Sequence, residues 1–369
     1  MKLTSEMIKE KARELGLDMV GIANIERYEN APPMLNPKNY FPEAKSVIVT
    51  VMRIPRGSYR GIEEGTHWHN YTYYSYNRLN TLFRPRLTYA LSCFIEDHGW
   101  EAVPNYPGVP ERNPVRMPVA EGKMPSDIVT SIRMMAVGAG VGEIGHSKVF
   151  LNQKFGPRVR LGSILTDVEL EPDPMVEPGT ICNQCGRCVR DCPGNAIPPI
   201  KDQDKKITVV IGGKKITWGD THMGRCTLTH HGFNNTISPF HKKAFPNMEF
   251  DAQNSDVTEE EAYKLCYPLA TAKWSRTPYY NTNGSVIEYY DYAMNHVGYF
   301  AVCGAKGCIR ACMDNLEKNK LIENTFNSTF YKKKGWTIPN EMEEKQGRIN
   351  PWREEWLDDK FPGIRKNEY

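Results

Sequence analysis

The feature that most constrains this chain is one run of cysteines. Cys182-Asn183-Gln184-Cys185-Gly186-Arg187-Cys188-Val189-Arg190-Asp191-Cys192-Pro193 fits the pattern Cys-x-x-Cys-x-x-Cys-x-x-x-Cys-Pro, with which bacterial proteins wrap a 4Fe–4S cubane. Three thiolates two residues apart close a tight loop around one cluster, and the amides of that loop donate to its sulfides. The fourth, on the next turn, points away and serves a neighbouring cluster. A zinc knuckle would want two separated pairs instead.

A neighbouring cluster demands a second motif, and Cys303-Gly304-Ala305-Lys306-Gly307-Cys308-Ile309-Arg310-Ala311-Cys312 supplies it. Its gap from Cys303 to Cys308 is four residues rather than two, and Met313 stands where proline is expected. By the crossing rule, Cys312 joins Cys182, Cys185 and Cys188. Cys192, Cys303 and Cys308 are then one ligand short. Cys226 and Cys266 lie between the two motifs; Cys226 is the expected eighth ligand and Cys266 the alternative. Cys93 falls in an apolar helical stripe and reads as core.

The remaining sequence sets the context. The N-terminus alternates charged and apolar residues and has no signal-peptide core, and no run of about 18 apolar residues is present to cross a bilayer. The expected compartment is the cytoplasm, where ten cysteines read as metal ligands rather than disulfides. A net charge of +3 without a long basic run does not suggest a nucleic-acid binder.

Thr4 is positioned to cap a helix ended by Gly16. Strands are expected at 18–23, 46–52 and 101–104, with one or two more over 158–170. A long helix from Leu79 to Ile95, kinked at Pro85, and a helix over 127–137 complete the first part. Helices and strands alternating up to about residue 175 argue for an α/β or α+β sandwich, and α+β is the expected class. The expected division is 1–175 as an α/β domain, 176–320 as a ferredoxin-like two-cluster domain with an inserted segment at about 230–300, and 321–369 as a tail packing on the surface. Gly140-Val141-Gly142-Glu143-Ile144-Gly145 also fits Gly-x-Gly-x-x-Gly, but a helix precedes it where a dinucleotide site needs a strand.

Taken together, Ala12–Ile22, Gly138–Gly145, Phe155–Asp167 and the two cysteine motifs resemble the cobalamin-dependent two-cluster reductases, a family that includes reductive dehalogenases and epoxyqueuosine reductases. Gly142-Glu143-Ile144-Gly145 and Phe155-Gly156-Pro157-Arg158-Val159-Arg160-Leu161 are closer to the dehalogenase branch. The resemblance implies a nitroreductase-like corrinoid-binding sandwich joined to the ferredoxin-like segment. It implies two 4Fe–4S clusters and base-off cobalamin, with Gly140, Gly142, Gly145, His146, Phe155 and Arg160 at the corrinoid, the glycines letting backbone approach the flat ring.

The implied activity is reductive removal of a halide, or a comparable leaving group, from a small organic molecule through cob(I)alamin. A low-potential donor such as ferredoxin or flavodoxin would feed it. Reduction of epoxyqueuosine in tRNA and non-catalytic electron transfer are the alternatives. An acid must protonate as the leaving group departs; Tyr106 and Asp127 are the candidates, with Arg158 as the nearby cation. Trp68, Tyr71, Tyr73, Tyr74 and Tyr76 are candidates to wall the pocket. His67 and His69 lack further ligands for a metal site, and His230-His231 read as hydrogen-bonding near a cluster.

Overall fold

The computed structural model describes residues 2–64, 69–105, 130–234, 237, 251–271, 301 and 303–329. Helix α1 (Ser5–Leu15) begins where Thr4 Oγ1 accepts from Met7 N at 3.4 Å, and Gly16 ends it at φ 90°. Strands β1 (Met19–Asn24) and β2 (Ser46–Arg53) pair antiparallel. The run Val47-Ile48-Val49-Thr50-Val51 lies wholly inside: Val47, Val49 and Val51 face one core and Ile48 the other. A strand covered on both faces needs no polar alternation, so it reads as one β-branched block.

The expected long helix is helical throughout, but its winding changes. π-helical turns at Thr72–Asn77 and Leu79–Phe83 lead into α2 (Arg84–Glu96), which carries Pro85 in its first turn. There the missing N–H has no partner to lose. The widened winding leaves Leu82 and Phe83 exposed, and Cys93 is only half-buried rather than core.

Strand β3 (Ala102–Asn105), helix α3 (Ile132–Gly138), the short pair β4 (Glu143–Ile144) and β5 (Phe150–Leu151), and strand β6 (Val159–Thr166) follow. The main sheet has the order β1-β2-β6-β3, with every neighbour antiparallel. Helices α1 and α2 cover one face through Ile8, Ala12, Leu91 and Ile95. On the other face lie α3 and the chain that follows it, through Met134, Val137 and Val141. The class is α+β.

Past a short turn of helix, α4 (Arg187–Arg190), the chain forms a hairpin of β7 (Lys206–Ile211) and β8 (Lys214–Gly219). Gly212 and Gly213 turn it at φ 54° and 75°, values that favour glycine in a two-residue hairpin loop. The sequence expectation contains no strand here, although two glycines between β-branched runs are a hairpin signal. Val209, Ile211, Ile216 and Trp218 on its inner face join the same core as α3, so the cysteine-bearing part of the chain shares packing with the main sheet.

Helices α5 (Met223–His230), α6 (Glu259–Thr271) and α7 (Cys308–Lys318) complete the described chain. Thr258 and Glu261 form a capping box, with Thr258 Oγ1 accepting from Glu261 N at 3.2 Å and Glu261 Oε2 from Thr258 N at 2.8 Å. This helix start was legible in Thr258-Glu259-Glu260-Glu261 inside a stretch that shows no clear apolar period. A third core joins these helices to Ile54, Tyr59, Ile62 and Tyr71 of the first half. Among the described residues no helix is long and apolar enough to cross a membrane.

Candidate iron–sulfur and cofactor site

The fold brings eight cysteines into two adjoining groups. Around Cys182, burial pushes the thiol up and Cys185 adds to it; around Cys188, burial followed by Cys182 and Cys185 push it to about 11. Cys312, at the start of the second turn of α7, is pushed far up by burial and then by Cys182, Cys188 and Cys185. In the second group, Cys303 is raised by burial and by Cys308, Cys226 and Cys192. Cys226 itself is raised to about 11, chiefly by burial. The groups meet where Cys308 also feels Cys188, and Cys312 feels Cys308.

Cys266 behaves differently. It is raised to about 12 by burial alone and packs among Leu228, Phe233 and Ala262 in the third core. Cys226 therefore stands with Cys192, Cys303 and Cys308, and Cys266 does not.

Four buried thiols in one place resist ionisation, because each thiolate would repel the others in a poorly solvated site. A polycationic centre removes that conflict by taking all four as thiolates. Backbone donors are also in place: His146 N lies 3.5 Å from Cys182 Sγ and Ala196 N 3.3 Å from Cys192 Sγ. Such N–H···S bonds tune cluster potential. Among the described residues no three His, Cys, Asp or Glu side chains converge tightly enough to hold a single metal ion; a cubane spreads its thiolates more widely than one ion does. The buried thiols and the backbone donors beside them are a donor set of the kind that iron–sulfur clusters take.

Polar residues tie the two motifs together. Arg187, beside Cys188, bonds Asp314 on α7 at 2.5 Å, and Lys318 Nζ is 3.0 Å from the same carboxylate. Burial works against the Asp314 carboxylate, yet these two cations hold it below the usual carboxylate range. Arg310 on α7 pairs with Glu63 of the first half at 2.5 Å, both side chains at or below 5% exposure.

The second thiol group faces a cavity of about 990 Å³ that runs between the two halves. Cys192, Cys226, Cys303 and Cys308 line one side; Ile132, Phe150, Val159, Arg160 and Leu161 line the other. Both π-helical turns contribute to the wall, through Tyr76, Asn77, Asn80 and Thr81, a frequent association of this winding with functional sites. Arg160 Nε bonds Ser75 O at 2.6 Å, and its guanidinium lies 4.4 Å from the centre of the Tyr76 ring. Arg160 Nη2 is buried and, among the described residues, has no hydrogen-bond acceptor. His230 packs on Tyr76 with ring centres 5.1 Å apart. Burial, then His231 and Arg160, keep it neutral far below the usual histidine range.

The other expected residues fall in varied places. Tyr106, Asp127, Trp68 and His67 lie outside the described residues, as does the His69 side chain. Arg160 lines the cavity; Gly140, Gly142, Gly145, His146, Phe155 and Arg158 are not among its lining residues. The glycines give close approach to the protein itself. A Cβ on Gly140 would come within 2.2 Å of Pro174 O, and one on Gly142 within 2.0 Å of Leu151 O. His146 turns toward the cysteine segment, with Nε2 2.8 Å from Pro198 O. Phe155 is fully buried in the first core.

Arg158, expected at the substrate, is held elsewhere. Its Nη1 bonds Ile54 O at 3.0 Å and its Nη2 bonds Asn324 Oδ1 at 2.6 Å. The cation over a cavity tyrosine is Arg160, two residues on. Of the expected aromatic wall, Tyr76 lines the cavity, while Tyr71 is buried behind it and Tyr74 is exposed. Glu143 was not anticipated as a site residue. It is buried, and it accepts from Gly179 N at 2.6 Å, Ile181 N at 2.9 Å and Cys182 N.

No family model matches the chain. Over 70 residues it is 44% identical to the tetrachloroethene reductive dehalogenase of Desulfitobacterium hafniense, covering 18% of this chain and 13% of that protein. Over 173 residues it is 29% identical to the epoxyqueuosine reductase of Staphylococcus aureus, covering 44% of this chain and 38% of that protein. Its homologues are the reductive dehalogenases and the epoxyqueuosine reductases. These matches span well under half the length of either curated relative. A solved reductive dehalogenase described as B12-dependent aligns over 87% of this chain and 38% of its own, at 17% identity and a TM-score of 0.41.

Proposed function

We propose that this chain is a cobalamin- and iron–sulfur-dependent oxidoreductase that removes a halide, or a comparable leaving group, from a small organic molecule. The observation that carries this is the shared cavity: Cys192, Cys226, Cys303 and Cys308 open onto the same space as Tyr76 and Arg160. Cys182, Cys185, Cys188 and Cys312 would hold one 4Fe–4S cluster, and the cavity-facing four the other. Cys185 is the exposed thiol of the first group, which makes that end the natural side for a ferredoxin or flavodoxin donor.

The cavity is at the upper end of the roughly 300–1,000 Å³ usual for cofactor sites, and it suits a macrocycle. Ile132, Phe150, Val159 and Leu161 would pack on the ring, and the Asn77 and Asn80 amides would meet its polar side chains. Bound there, cobalamin would supply the reduced metal centre that displaces a leaving group from carbon. Burial raises the Tyr76 hydroxyl above its ordinary value, with Arg160 working in the opposite direction. Tyr76 Oη thus stays protonated near neutral pH, and Arg160 stabilises charge as the proton moves. Tyr106 is a second candidate for that donor.

Epoxyqueuosine reduction in tRNA is the second reading, favoured by the longer 173-residue match; in it Asp127 would supply the proton. Anaerobic reconstitution separates the two. The protein should retain roughly one corrinoid per chain and release halide from a small halogenated aromatic, and Tyr76→Phe or Tyr106→Phe should lower turnover by about 10²-fold or more with corrinoid content unchanged. Turnover of an epoxyqueuosine-bearing anticodon stem-loop, lost in Asp127→Asn, would replace the first reading with the second. Two clusters without corrinoid uptake would reduce the chain to an electron-transfer protein.

A further inference from the structure

Glu143 is out of place for a solvating carboxylate. It sits on the short strand β4, is only 3% exposed, and no Lys, Arg or His forms an ion pair with it among the described residues. What it has instead is backbone. Gly179 N donates to Oε2 at 2.6 Å, Ile181 N to Oε1 at 2.9 Å, and Cys182 N also to Oε1. These amides belong to the stretch that carries the chain out of the sandwich and into the first cysteine of the run. A buried carboxylate is costly unless its lone pairs are filled, and here three amides within four consecutive residues fill them.

The opposite side of Cys182 is fixed from the same stretch of sequence. His146 N, three residues after Glu143, lies 3.5 Å from Cys182 Sγ. The segment 143–146 thus grips the first motif at its amide and at its sulfur. We propose that Glu143 is a positioning residue for the first cluster and that its carboxylate lowers that cluster's potential. The inference rests on the two-cluster reading. A buried anion held against Cys182 disfavours the added electron at the first cluster; the second group has carboxylates of its own, Asp220 and Glu259, on the cavity wall, so the effect of Glu143 falls on the first cluster's own midpoint. The glycine pattern contains this residue, but a glutamate between glycines carries no ligand signature and the cysteine spacing does not point to it.

Two substitutions separate position from charge. In Glu143→Gln the amide oxygen still accepts from Ile181 N and Cys182 N, while the charge and the bond from Gly179 N are lost; in Glu143→Ala every acceptor is gone. Each is reconstituted anaerobically, and iron is counted while the two reduced clusters are titrated by electron paramagnetic resonance. Glu143→Gln should keep the wild-type iron content, raise the midpoint of one cluster and leave the other unmoved. Glu143→Ala should lose half the iron, with the surviving signal that of the cluster whose midpoint did not move in Glu143→Gln. Unchanged midpoints in Glu143→Gln, or an equal rise in both clusters, would overturn the proposal, as would full iron with wild-type midpoints in Glu143→Ala. Wild-type protein that binds no iron would instead remove the two-cluster reading itself.

Discussion

The two thiol groups use the same ligand chemistry in different surroundings. The first is anchored to the sandwich by Glu143 and His146, leaves Cys185 at the surface, and is braced by the half-exposed Arg187 against Asp314. The second opens inward: Cys192, Cys226, Cys303 and Cys308 line the cavity, and Cys308 lies near Tyr59 and Tyr76. In the proposed function this asymmetry would give a relay its two ends, with Cys185 at the surface and the cavity-facing group beside the chemistry.

The largest expected effect tests the membership of the groups. Cys226→Ser should drop reconstituted iron from about eight to about four per chain and spare the signal of the first cluster. Loss of all iron, or of none, would break the division. Next, Glu63→Gln removes one partner of a buried ion pair that ties α7 to the first half. It should destabilise the protein by about 3 kcal/mol in denaturant unfolding, the low end for breaking a buried pair, because Asp314 stays 3.9 Å from Arg310.

A smaller effect is expected at Asp314, whose bracing cations are partly exposed. Asp314→Asn should cost about 2 kcal/mol at neutral pH, the scale of a hydrogen bond to a charged group. Because the folded carboxyl titrates below its unfolded value of about 3.9, this stability is fully present above that pH. It is lost as the pH falls through the lower, folded value. The gap between wild type and Asp314→Asn should therefore stay constant down to about pH 5 and close in stronger acid. Cys266→Ser should do least: full iron content, both signals intact, and a loss of about 1–2 kcal/mol from a hydroxyl in an apolar site.

Much of the framework was readable in the chain. Thr4 and Gly16 bound α1 as expected, and the block from Val47 to Val51 became a strand buried on both faces. These outcomes depend on neighbours in sequence, where caps and periodicity act. The crossing rule, a matter of geometry inside a short motif, also led to Cys312 beside Cys182, Cys185 and Cys188. What escaped depends on distant packing. Gly140 and Gly142 are as constrained as expected, but against Pro174 and Leu151, and no local pattern tells one backbone partner from another. Arg158 stands just before β6 and Arg160 within it, and both look suitable as a cation at the site. The chain alone does not say which of them Asn324 will occupy. The β7–β8 hairpin and the Thr258 capping box did have local signals, masked by a segment whose cysteines and turns suggested little regular structure.

The crossing of the two motifs also sets a timetable. Each group takes thiols from both ends of a stretch 131 residues long, from Cys182 to Cys312, so neither is complete when the first motif leaves the ribosome. At roughly 5–20 residues per second, three or four thiols of the first motif wait on the order of ten seconds for their partners. Loading a cluster during synthesis would fill an incomplete site and invite the wrong fourth ligand, such as Cys192. Cluster delivery to this chain is therefore expected to follow release and folding of the polypeptide, with the sandwich and Glu143 already holding the first motif in shape.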